Sequence, residues 1–294
     1  MLKEKADIKS LFYMLLTTSL LVGLWNFGTS IANWQWTIFY VGFLLMSVSV
    51  AVMVHNHKHV PIWRNKILNI ITDNWLTVFY GFPVFSWVPT HMHNHHRHVN
   101  TEPDYTRTWR YTERNNIFTL LSYPTLSGKN QQPAVIGFYK AQWKTDRAKF
   151  WILTLQWASL VVWTATALLL DPWKALLYVI IPQQVSLFSV LIFNYVQHIH
   201  ADETDEYNNS RNITGWVLNT FLLNNGYHTA HHLYPGLHWS KLPQKHKEIA
   251  NRINPELNEV SLWWFLIRCY IIGAVVPSLR TKNMRKNQPL AASL

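Results

Sequence analysis

Cysteine occurs once in the 294 residues, at Cys269, which excludes a disulfide framework, a thiolate zinc site and an iron–sulfur cluster. Any metal this chain binds is therefore held through nitrogen or oxygen. Charge is scarce too: Asp, Glu, Lys and Arg make up 14% of the residues, and none falls between Ser10 and His57. A soluble domain rarely keeps so long an uncharged run, whereas a helix crosses a bilayer core with about 20 apolar residues. The run is long enough for two passes, with Gly28, Thr29, Ser30 and Asn33 to turn the chain between them. It lacks the small-residue cleavage site of a secretory signal and is expected to stay in the membrane. Carboxylates are the rarer charge, 15 against 26 Lys and Arg. No Glu-x-x-His occurs, so the signature of carboxylate di-iron bundles is missing, as is the His-Glu-x-x-His of zinc proteases. There is no repeat of fixed period and no low-complexity tract.

Tryptophan, by contrast, is abundant, with 16 residues, and the net charge is +11. Together with the apolar runs, these argue for a basic membrane-facing surface and against nucleic acid as a partner. Residues 11–26 and 36–54 read as one helical hairpin, and residues 150–170 and 173–193 as a second, turned at Asp171–Pro172. The tiny loops inside the hairpins carry no positive charge except Lys174. Lys3, Lys5 and Lys9, the basic residues from Lys58 to Lys149 and those from Arg211 to Lys286 all lie on the other side. The positive-inside rule puts both termini and both large polar segments in the cytoplasm. Residues 75–89, with Gly81, Pro83 and Pro89, are too short to span and are expected to lie in the interface or to re-enter. Residues 262–279 are long enough to span. Arg268 sits in their middle, however, and a span would carry Arg280, Lys282, Arg285 and Lys286 outside, so an interfacial amphipathic helix is expected.

Fifteen histidines occur, and all but His238 and His246 fall in four clusters. These are His55-Asn-His57-Lys-His59; His91-Met-His93-Asn-His95-His96-Arg-His98; His198-Ile-His200; and His228-Thr-Ala-His231-His232. Each lies at or just beyond the cytoplasmic end of an apolar segment. Residues three and four apart share a helix face, so His55 points with His59, His91 with His95, and His228 with His231 and His232. Converging neutral imidazoles suit iron, zinc or copper. A histidine-rich buffering loop would have no reason to spread over four segments in helical register. The nitrogen donors exceed what one ion holds, which implies two metals. Zinc would serve hydrolysis, yet no general-base carboxylate lies within the clusters, and redox iron fits better. At offsets that turn away from these faces, His57, His93, His98 and His200 are expected beside the ligands or at the surface. Asp104, Asp202 and Asp205 are either imidazole-orienting carboxylates or exposed loop residues.

The segments HNHKHVPIW at 55–63, HMHNHHRHVN at 91–100, NYVQH at 194–198 and NNGYHTAHHLYPGLHW at 224–239 resemble the membrane fatty acid desaturase and hydroxylase superfamily. The resemblance implies an all-α integral membrane protein with two transmembrane helical hairpins, four spans in all. A cytoplasmic helical cap would hold a histidine-rich di-metal site, in a single domain over 1–294. Position by position it implies as metal ligands His55 and His59; His91, His95 and His96; His228, His231 and His232; and the extra Asn194 and His198. No catalytic residue beyond these ligands is implied. The cofactor would be two Fe ions, with O₂ as co-substrate.

The implied reaction is desaturation of a fatty-acyl chain presented as a CoA or carrier-protein thioester, a lipid or a free acid. A hydroxylase of an alkyl, acyl or carotenoid substrate, and an acetylenase or terminal-alkene-forming oxidase, stay open on the same scaffold. With no Cys-x-x-Cys and no fused haem domain, electrons must come from a separate ferredoxin or b-type cytochrome. Such a donor is expected to be acidic and to dock on the basic face. Residues 75–89 and Gln183–Gln184 are candidate walls of an acyl tunnel; the glutamines could equally satisfy a kink at Pro182. The expected location is a bacterial inner membrane, amid membrane lipid, with the metal site cytoplasmic. A histidine-rich transporter is disfavoured, because its path would need ionisable groups along the spans.

Overall fold

The computed structural model describes residues 1–285, so Lys286, counted above among the cytoplasmic charges, lies outside the described residues. The described residues are mostly helical with almost no sheet, and two compact units are distinguished: Met1–His93 with Gln131–Leu191, and Asn94–Asn130 with Ile192 onward. Among the described residues, four helices are long and apolar enough to cross a membrane: α1 (Ile8–Phe27), α2 (Asn33–His59), α5 (Arg147–Leu170) and α6 (Pro172–His198). Between them lie α3 (Lys66–Tyr80) and α4 (Ile117–Thr145).

In the first unit α1 packs along α2, and α3 packs on both α2 and α5. The hairpin turns are built by local chemistry. Asp171 caps the start of α6 by accepting N–H bonds from Trp173 and Lys174 at 3.0 Å each, as short acidic caps do. An aromatic knot closes this end: Trp36 donates to the Tyr178 hydroxyl at 2.9 Å, and Tyr40 to the Leu177 carbonyl at 3.0 Å. Outward-facing side chains such as Phe12, Leu15, Ile38, Val161, Val162 and Leu169 are exposed. That is the surface a lipid solvent requires.

The expected interfacial or re-entrant stretch at 75–89 begins as the second half of α3. It is wedged among the long helices of its unit: Trp75 donates to Thr18 at 3.2 Å, Asn74 accepts from Ser159 at 2.8 Å, and Leu76 and Thr77 are fully buried. α3 stops at Gly81, whose φ of +85° is left-handed. A Cβ there would meet Gln183 at 2.5 Å, so only glycine fits. Gln183 gives its amide N–H to the Val78 carbonyl at 2.8 Å, satisfying a carbonyl that the helix end leaves open. Gln183 thus closes a helix terminus, while Pro182 follows a π turn over Leu176–Ile180.

The second unit holds short elements: α7 (Trp216–Phe221), α8 (His228–Leu233), α9 (Leu242–Ile249), α10 (Leu262–Val275), and a parallel two-residue ladder pairing β1 (Asn212–Ile213) with β2 (Asn258–Glu259). Its core is unusually polar. Asn212 and Thr229 exchange hydrogen bonds at 2.9 and 3.0 Å. Asn219 donates to Ile213 and Gly215 and accepts from Gly226. Gly226 is obligatory, since a Cβ would lie 2.0 Å from the Ile213 carbonyl. Arg211, 1% exposed, gives N–H bonds to the Val196 and Ile199 carbonyls at 2.7 and 3.2 Å, capping the C-terminal end of α6.

The helix is shorter than the 262–279 expected: α10 ends at Val275 and is too short to span. Arg268 is folded back onto protein, 2.5 Å from Glu259 and 3.0 Å from the Leu279 carbonyl. Trp263, Trp264, Ile267 and Ile271 are left exposed.

Candidate metal centre

The long helices run further than their apolar stretches. α2 continues through the first histidine cluster and α6 through Asn194 and His198, so these side chains sit on helical last turns. His55 and His59, four apart, bring their rings to 4.9 Å, and His91 lies 4.7 and 5.1 Å from them, all edge to face. Trp87 packs against His55 and His91 at 5.4 and 4.9 Å. This three-histidine group belongs to the first unit.

Two further sets converge within the second unit. The Nε2 atoms of His198, His228 and His232 form a triangle with sides of 3.0, 3.1 and 3.2 Å. The His95 ring stands 4.7 Å from His198 and 5.0 Å from His232. The donor atoms of these four residues lie within 4.8 Å of one another. Separately, His96 and His231 meet through Nε2 atoms 3.0 Å apart.

The expectation that His228, His231 and His232 act as one face is corrected here. Adjacent helical residues point about 100° apart, so a His-His pair sends one ring to each of two sets, as His95-His96 also does. His91 and His95 likewise join different groups. Val88–His95 is a π-helix, so the α-helical spacing rule that paired them does not carry over to this segment.

Two tautomers are fixed by partners that can only accept. His198 Nδ1 lies 3.0 Å from the Asn209 carbonyl, and His95 Nδ1 lies 2.7 Å from Asp104 Oδ2. Both Nδ1 atoms therefore carry the proton, which leaves the Nε2 lone pairs facing inward. Burial alone would raise the Asp104 carboxyl. His95 and the N–H groups of Thr106 and Asn100 instead hold it well below the usual carboxylate range, so it remains a charged acceptor. Burial first, then the crowd of neighbouring imidazoles, push His232 well below the ordinary histidine value and keep it neutral. Inward lone pairs about 3 Å apart repel unless a cation sits among them, and donors at about 2.0–2.1 Å from one ion are spaced that far apart. The donor set fits a resident transition metal.

Asn194, half-buried, donates its amide N–H to the Tyr123 hydroxyl at 2.6 Å. Its Oδ1 is the atom left for a metal. His57 turns away from His55 and His59, as its offset implies, but it is buried. Its Nδ1 accepts from Ile62 N–H at 3.1 Å, and its Nε2 lies 3.4 Å from Asp73, which also binds Lys58 at 2.5 Å. His93 is exposed and His98 half-buried. His200 is held by Thr281 and the Glu113 carbonyl, each at 2.8 Å.

Of the three aspartates, Asp104 is the orienting one. Asp202 and Asp205 accept from their own turns, at Thr204 and Tyr207. Tyr123, Thr106 and Asn209 were not singled out from the sequence. The one signal for an outer layer in the sequence was Asp104, two residues before Thr106. Val99, Asn100, His200, Leu223 and Asn224 have positive φ, each near a histidine-bearing segment. Such backbone costs about 1–3 kcal/mol per residue and clusters at functional sites.

A family model described as fatty acid desaturase matches residues 29–266. No curated protein and no solved structure matches the chain.

Proposed function

The chain belongs to the fatty acid desaturase family, and from that premise we propose that it desaturates a fatty-acyl chain with O₂ at a histidine-held di-iron centre. The observation carrying this reading is the triangle of Nε2 atoms from the buried His198 and His228 and the half-buried His232, backed by His95. The proposed ligands are His55, His59, His91, His95, His96, Asn194, His198, His228, His231 and His232. Their number exceeds the demand of one ion, and an all-nitrogen-and-amide set suits redox iron better than hydrolytic zinc. When bound, the irons supply the O₂-derived oxidant needed to take hydrogen from an unactivated methylene.

The protein's part is preparation. Asp104 and the Asn209 carbonyl hold His95 and His198 in the tautomer that turns Nε2 inward, and burial keeps competing water away. Four helices long and apolar enough to cross a membrane support a membrane location, where an acyl chain is already dissolved. The reading includes a single catalytic domain over 1–294 and a bacterial inner membrane. Both termini and the centre are cytoplasmic, and an acidic ferredoxin or b-type cytochrome docks on the basic face.

Anaerobic reconstitution with iron followed by elemental analysis tests the centre: close to two irons per chain and no haem are expected. Saturation at one iron would overturn the two-metal reading. Zinc in overexpressed material is uninformative, which is why reconstitution comes first. Mass spectrometry of lipids from expressing cells tests the substrate class.

A further inference from the structure

Tyr123 lies on α4 at 6% exposure, next to Asn194 and off the imidazole set. A phenol hydroxyl has one proton to give and lone pairs to accept with. The Thr106 carbonyl can only accept, so the Tyr123 proton goes there. The phenol oxygen then accepts from Asn194 Nδ2 at 2.6 Å, and the Ser127 hydroxyl is also hydrogen-bonded to it. The same Thr106 carbonyl lies 3.4 Å from Asn194 Nδ2. If the amide were turned over, Oδ1 would face the Thr106 carbonyl with no proton between them and would compete with it for the single Tyr123 proton. The orientation is therefore determined, with nitrogen toward Tyr123 and oxygen away from it. An amide nitrogen offers a metal no lone pair, whereas the amide oxygen does.

From this geometry we infer that Tyr123 is a positioning residue that selects the metal-competent face of Asn194. Thr106 couples that choice to His95. Its carbonyl takes the Tyr123 proton, while its hydroxyl lies 3.0 Å from His95 Nδ1 and 2.8 Å from Asp104 Oδ1. One residue thus steadies two proposed ligands, one through its backbone and the other through its side chain. The inference rests on the reading of Asn194 as an iron ligand.

The test compares wild type, Tyr123→Phe, Asn194→Asp and the double variant. All are reconstituted with ⁵⁷Fe, then followed by Mössbauer spectroscopy and by iron retention against a chelator. Phenylalanine keeps the buried ring and removes only the hydroxyl. Tyr123→Phe should retain iron about tenfold less well, the usual scale for losing an outer partner of a ligand, with a changed quadrupole doublet. A carboxylate carries oxygen on both sides and needs no orienting. In the Asn194→Asp background, losing the hydroxyl should therefore cost less than about twofold, a coupling that a double-mutant cycle isolates.

An unchanged spectrum and retention in Tyr123→Phe would overturn the inference. So would an equal cost in both backgrounds, which is what a packing or folding defect produces. If wild type itself takes up no iron, the proposed function falls first. If wild type loads normally and Tyr123→Phe is indistinguishable from it, only this inference falls.

Discussion

His57 and His59 sit two residues apart in one helix and do different work. His59 joins His55 and His91, while His57 is pinned between the Ile62 N–H and Asp73. Replacing His57 with alanine should leave iron loading and most activity intact and cost about 1–3 kcal/mol of stability, from a buried partner left unsatisfied. His95→Ala and His232→Ala should abolish turnover and lower iron content while the protein still inserts. Loss of iron in His57→Ala equal to that in His95→Ala would show that the first cluster does not work as a helix face. Asp73 supplies a pH test. Burial pushes its carboxyl up, but the His57 hydrogen bond and Lys58 outweigh this and leave it below the ordinary value. A carboxyl depressed in the folded state stabilises above its unfolded value, about 3.9, and loses that contribution as pH falls through the folded value. Asp73→Asn should therefore lower thermal stability in detergent at pH 7 by about 2 kcal/mol, with the gap to wild type closing below about pH 4. A gap constant from pH 7 to 3 would remove the charge from the explanation.

Hydropathy marks the four long helices but ends two of them early, at residues 54 and 193, because the histidine, asparagine and glutamine that follow carry no apolar signal. The structure continues α2 to His59 and α6 to His198, since a helix that ends against protein does not need apolar residues to its last turn. The i, i+4 pairing of His55 with His59 and of His228 with His232 was legible. The splitting of His95 from His96, and of His231 from His232, follows from the 100° helical step and was also available. Asp104 was legible only as one of three candidate orienting carboxylates, and Thr106 and Tyr123 were not legible at all, because a loop that folds back over its own helix leaves no periodicity to read. α10 is the element whose reading has a direct topological consequence. With Arg268 paired to Glu259 and too few residues to cross, it should leave the C-terminus on the cytoplasmic side. Reporter fusions after Ser10 and after Leu294 should both report cytoplasm, and an external C-terminal reporter would mean that α10 crosses.

For the molecule as a whole, the proposed reaction turns on whether the product loses two hydrogens or gains an oxygen. Both outcomes share the first hydrogen abstraction. They part on whether a second C–H lies near enough to be taken before oxygen returns to carbon, which depends on sub-ångström placement of the chain. Placement is a matter of rigidity, and here the surroundings of the proposed ligands are unusually tied down: His95 by Asp104 and Thr106, His198 by Asn209, and the end of α6 by Arg211. The family match supports an acyl chain as the proposed substrate. Supplied with a competent electron donor and a saturated, fully deuterated fatty acid, cells expressing the protein should yield an alkene missing two deuteriums from adjacent carbons. The His232→Ala variant should yield none. A hydroxylated acid as sole product, one deuterium short, would move the protein to the hydroxylase branch while leaving the metal centre as proposed. An acetylenic product would require a second round on the alkene, and would appear as further deuterium loss from the same carbon pair.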